Sequence, residues 1–137
     1  MKKYDNFSTH LLILQTAEKE DLSNEFIISG IIDKFFIQFE LSWKLLKELL
    51  RYEGNPISST GSPREILKAA YCCYDFIDEA LWLSMLKARN DLTHIYDSNA
   101  AKRFVFTILN SYIPAFAQLK AGIDAMYGDL LKTDSFE

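Results

Sequence analysis

Apolar residues recur at steps of three and four along most of the chain. The clearest run is Ile28, Ile32, Phe35, Phe39, Trp43, Leu46 and Leu50. Side chains at that spacing share one face of an α-helix. The run predicts a helix from about Ser23 to Glu53, a rod of about 45 Å at roughly 1.5 Å per residue. A strand, with its period of two, cannot carry this pattern. Before it, Phe7 to Lys19 predicts a first helix through Leu11 and Leu14. Gly54-Asn55-Pro56 ends the long helix, and Ser58 to Gly61 reads as a loop. Ser62-Pro63-Arg64-Glu65 then opens a third helix, with a capping serine, a glutamate three residues on and proline at the first helical position. A break is expected near Asp75. Asp78 and Glu79 start a fourth helix, suited by its dipole, which carries Leu81, Met85, Ala88 and Leu92 and ends near Tyr96. Asp97-Ser98-Asn99 caps a last helix, Ala100 to about Met126, kinked or locally opened at Pro114.

Composition agrees with an all-α fold. One valine stands against eighteen leucines and eleven alanines, and helices favour the straight-chain set. The expected architecture is an antiparallel up-and-down bundle of four long helices and a short one, in a single domain spanning 1–137. Two helices have apolar arcs wider than a one-sided bundle helix needs. Ile27, Ile31 and Phe36 widen the second; Phe104, Val105, Phe106, Leu109, Tyr112, Ile113 and Phe116 widen the last. A homodimer is the simplest way to cover that surplus. No apolar run is long enough to span a membrane and no signal-peptide core follows Met1, so a cytoplasmic location is expected. The adjacent Cys72 and Cys73 are the chain's two cysteines. They exclude a disulfide framework and a cysteine zinc site, and read as buried thiols. Trp43 and Trp82 read as core, and His10 as a boundary residue. No metal or cofactor is expected.

The net charge of -4 argues against binding nucleic acid by bulk basicity. Residues 84–103 are the exception, with Lys87, Arg89, Lys102 and Arg103 against Asp91 and Asp97. This segment contains Arg89, Asn90, His94 and Tyr96. On a helix continued to Tyr96, Asn90 and His94 lie about 40° apart, and a long arginine reaches the same cleft. Such a set can hold a phosphodiester: arginine pairs with non-bridging oxygens and imidazole moves a proton near neutral pH. The plainer alternative has Arg89 pairing with Asp91 or Asp97, while His94 and Tyr96 cap and pack the helix end.

The run Arg89-Asn90-Asp91-Leu92-Thr93-His94-Ile95-Tyr96 resembles the R-x4-H-x-Y signature of HEPN-domain proteins. The stretch from Phe35 to Lys47, Ser62-Pro63-Arg64-Glu65 and the Trp82 helix are similar to one branch of them, the nucleotidyltransferase substrate-binding proteins. The likeness covers about residues 4–125. It implies a HEPN-like helical homodimer partnered with a minimal nucleotidyltransferase. It also implies a metal-independent endoribonuclease, the toxin of a toxin–antitoxin pair, with Arg89 on the phosphate and His94 as acid–base group in a cleft shared by two subunits. Asn90 matches the polar residue after the arginine. Tyr96 matches the tyrosine that partner transferases modify with AMP to silence the nuclease. Lys87, Lys102 and Arg103 are candidate phosphate or RNA contacts. The alternative is a non-catalytic subunit that binds nucleotide or substrate for the transferase.

Overall fold

The computed structural model describes residues 1–91 and 97–132. The helices are α1 (Lys2–Leu14), α2 (Glu25–Tyr52), α3 (Pro63–Cys73), α4 (Glu79–Asn90), α5 (Ser98–Thr107) and α6 (Ile113–Tyr127). Short 3-10 turns occupy Ala17–Lys19, Pro56–Ser59 and Gly128–Lys132, and a π turn at Ile108–Tyr112 joins α5 to α6. No strand occurs among the described residues, so the expected all-α class holds.

Helix α2 is the central strut, packed by α1, α3, α4 and α5. Its 28 residues follow the cap Asn24, whose side chain accepts from the Phe26 and Ile27 amides at 2.9 and 3.4 Å. It stops at Gly54, whose φ of +77° suits glycine. There the Gly54 amide reaches the Arg51 carbonyl and the Asn55 amide reaches the Leu50 carbonyl. That pair of reversed bonds satisfies the last turn. Ile28, Ile32, Phe35, Phe39, Leu46 and Leu50 are buried as their spacing required, and Trp43 is half-buried. Phe35 stacks on Tyr112 at 5.1 Å between centroids, and Trp82 meets Phe116 edge-on at 5.6 Å, so aromatic rings tie α2, α4 and α6 together.

Four expectations need correction. The first helix starts earlier and stops at Leu14, because the chain must turn through Ala17–Lys19 to meet the Asn24 cap. The fourth helix ends at Asn90, not near Tyr96, since Asp91 is extended (φ -106°, ψ 109°). The last helix starts at Ser98, two residues earlier, under the Asp97 cap, and opens ahead of Pro114 as expected. Pro114 has no N–H for the preceding turn and its ring crowds the Asn110 carbonyl, so the helix widens just ahead of it. Asn110 compensates by donating its side-chain amide to the Phe106 carbonyl at 2.8 Å. Finally, Cys72 and Cys73 are exposed rather than buried, because α3 turns Ile66, Leu67 and Ala70 inward.

The apolar surplus divides. Ile31, Val105, Tyr112 and Phe116 are buried within the chain, whereas Phe106 is 67% exposed. A second exposed row runs along α2, where Phe26 is 89% exposed and Ile37 48%.

Candidate functional site

The carboxyl end of α4 and the amino end of α3 lie side by side, because the two helices are joined by a short turn through Tyr74–Asp78 and run antiparallel. Between them is a cleft of about 680 Å³. Arg64 and Ser62 come from the α3 wall, and Ser84, Lys87, Arg89 and Asn90 from the α4 wall, over an apolar floor that includes Leu83 and Leu86. No carboxylate lines it among the described residues.

Each wall is fixed by local chemistry. Ser62 and Glu65 form a reciprocal cap, with the Ser62 hydroxyl accepting from the Glu65 amide and the Glu65 carboxylate accepting from the Ser62 amide, both at 3.3 Å. On the other side Asp78 accepts from the Leu81 amide at 3.1 Å and starts α4. Met85 is fully buried, which turns Lys87, two residues on, toward the surface and sets Arg89, one turn on, beside α2 and Glu40. Ser84 lies within 3.1 Å of the Tyr112 hydroxyl, so the π turn braces the α4 wall.

Arg89 is the cation of the cleft that has a carboxylate partner among the described residues. Its Nε donates to Glu40 Oε1 at 2.8 Å, and its Nη2 lies 2.7 Å from the same oxygen. The other carboxylate oxygen of Glu40 accepts from the Trp43 indole N–H at 2.8 Å. Arg89 Nη1 donates to Asn90 Oδ1 at 3.2 Å. The guanidinium is therefore held on one edge, is 35% exposed, and keeps N–H groups without a partner among the described residues. A fixed guanidinium with a free edge is suited to phosphate oxygens.

Of the residues expected from sequence, Arg89, Asn90 and Lys87 meet in this cleft. Lys102 and Arg103 are exposed on α5 and are not among its lining residues. His94 and Tyr96 lie outside the described residues. The alternative pairing of Arg89 with Asp91 or Asp97 is corrected: its carboxylate partner is Glu40, 49 positions earlier. Helix α4, expected to continue toward Tyr96, has ended by Asp91. Sequence reasoning missed Glu40, Arg64 and Ser84. Glu40 left one signal, an acid inside the apolar stretch of the long helix three residues before a tryptophan.

Residues 2–125 match a family model described as nucleotidyltransferase substrate binding protein like. No curated protein matches the chain. The match spans both walls of the cleft, the Glu40–Arg89 pair and the central helix, and the chain belongs to the nucleotidyltransferase substrate binding protein like family.

Proposed function

We propose that the chain, as a member of a nucleotidyltransferase substrate-binding family, is the HEPN partner of a minimal nucleotidyltransferase and acts as a metal-independent ribonuclease toxin. The observation that carries this reading is Arg89, clamped by Glu40 on one edge and open on the other beside a cleft without carboxylates, among the described residues. On RNA, Arg89 binds the non-bridging oxygens and stabilises the charge that grows on them. His94 takes the 2'-hydroxyl proton, the 2'-oxygen bonds to phosphorus, and the bond to the 5'-oxygen breaks as that oxygen gains a proton. The second histidine of a homodimer supplies that proton. Adenylylation of Tyr96 by the partner transferase silences the site by adding a bulky anion to it.

The open row on α2 supports the dimer. Phe26, Gly30, Ile37 and Leu41 recur at helical spacing, and a Cβ at Gly30 would meet nothing within 4 Å. A mid-helix glycine costs about 1 kcal/mol relative to alanine, and it leaves room for a second backbone. Glu40 also borders this row, in a groove with Phe36, Ile37, Leu41 and Lys44, so the row reaches the arginine clamp. Sedimentation of the purified chain is expected to give a dimer, and Ile37→Asp a monomer.

The cleft itself favours a second reading. Its volume and its apolar floor under a cationic rim suit a nucleotide, as expected of an accessory subunit that presents substrate to the transferase. One experiment separates the two. Wild-type protein, Arg89→Ala and His94→Ala are incubated with RNA in chelator and expressed in growing cells. The ribonuclease reading expects wild-type protein to cut RNA and arrest growth, with both variants inert. Intact RNA and normal growth with all three leave the accessory reading. Co-expression with the transferase is expected to add an AMP mass that Tyr96→Phe abolishes.

A further inference from the structure

Arg64 sits in the first turn of α3, directly after Pro63. This is a poor place for a cation, because the helix dipole makes that end positive. Arg64 has no ion pair among the described residues. The adjacent carboxylate, Glu65, is engaged by the Ser62 amide and hydroxyl. Arg64 nevertheless lines the same cleft as Lys87 and Arg89. Of these three cations, Arg89 alone has a carboxylate partner among the described residues. The fold therefore concentrates positive charge from two walls over one apolar floor, and an anion restores the balance.

We propose that Arg64 is a phosphate-binding residue that acts from the α3 wall while Arg89 acts from the α4 wall. The ligand is a nucleoside phosphate unit, free or within an RNA strand, whose sugar and base lie over Pro63, Leu83 and Leu86. The pairing explains why the α3 cap is built so firmly: the Ser62–Glu65 reciprocal bonds and Pro63 hold the residue that must meet the ligand. The inference rests on the reading that Arg89 binds phosphate, and adds a second contact that the R-x4-H run does not contain.

The test uses the full chain with Arg64→Gln, Arg64→Lys and Arg89→Gln. Fluorescence anisotropy is read with a labelled single-stranded RNA and with a labelled adenosine nucleotide, each at two salt concentrations. Arg64→Gln is expected to weaken binding about tenfold and to lower the salt slope on RNA by about one. Arg64→Lys recovers part of the loss, since it restores charge without the planar fork. The melting temperature of Arg64→Gln is expected to be unchanged or slightly raised, because Arg64 supports no described contact and its charge opposes the helix dipole. Loss with both probes identifies a mononucleotide site, and loss with RNA alone a strand contact. Wild-type affinity in Arg64→Gln, with Arg89→Gln weakened, overturns the role of Arg64 and leaves Arg89 standing. Failure of wild-type protein to bind either probe overturns both.

Discussion

Two of the polar networks that tie the helices of this bundle are built to opposite ends. At the junction of α2, α3 and α6, the Tyr74 hydroxyl lies 2.7 Å from that of Tyr127, which donates to Glu53 at 3.0 Å. Each phenol hydrogen has an acceptor, and burial pushes both phenols up, so the chain Tyr74 to Tyr127 to Glu53 stays protonated and closed. At the junction of α2 and α4, Glu40 holds Arg89 and the Trp43 indole, yet the guanidinium keeps an open edge among the described residues. The first network uses both of its donors inside the fold. The second uses only enough to fix a cation. A saturated knot stabilises the bundle, whereas an unsaturated one leaves a charged group oriented for an outside partner.

That distinction fails if Arg89 proves structural. Arg89→Ala is expected to lower RNA cleavage by about 100- to 1000-fold, as loss of one transition-state donor does, with little change in melting temperature. A large drop in melting temperature with cleavage intact would reverse the roles. The complementary change is Tyr127→Phe, which leaves the buried Tyr74 hydroxyl without its acceptor. That costs about 2 kcal/mol, roughly a 5–8 °C fall in melting temperature at this length, with cleavage unaffected. Glu40→Gln probes the clamp from its other side. It keeps the shape but removes the countercharge, and is expected to cost about tenfold in cleavage while shifting Trp43 emission; a normal rate would show that Arg89 positions itself.

Smaller effects probe the supports. Ser62→Ala removes the reciprocal cap and is expected to cost about 1 kcal/mol by denaturant unfolding. Acid should act on both halves of the bundle weakly. Hydrogen bonding by Arg51 and then Lys3 holds Glu48 below the usual carboxylate range. Burial pushes Asp124 up, but bonds from Tyr4 and Lys120 outweigh it and hold it low as well. A carboxyl that is more acidic in the folded state contributes above its unfolded value and loses that contribution as pH falls. Stability is therefore expected to hold above about pH 5 and to decline below about pH 4. A melting temperature that rises on acidification would contradict this.

Much of the fold was legible because helix period, caps and stop signals are local. The α2 stripe, the Ser62 cap, the Asp78 and Asp97 caps and the disturbance ahead of Pro114 all arise from residues within a few positions of one another. Where that locality failed, so did the reading. The end of α4 was misplaced because Leu92 continues the apolar spacing past Asn90, and nothing nearby marks Asp91 as extended. Cys72 and Cys73 are of a residue type that favours burial, but their facing on α3 exposes them. The site was half legible: Arg89, Asn90 and Lys87 lie close together on one helix, while Glu40 and Arg64 reach it only through tertiary packing. Sequence neighbours such as Asp91 were natural partners for Arg89, and the fold supplied a distant one instead.

The π turn at Ile108–Tyr112 absorbs an extra residue without rotating the helix beyond it. Removing one residue there should press the Pro114 ring back against the carbonyl one turn before it, at a cost in stability, yet leave Phe116, Leu119 and Ile123 still aimed inward. The same deletion within α6 would swing everything beyond it by about 100°. Length and direction are uncoupled at this one point of the long carboxyl-terminal rod.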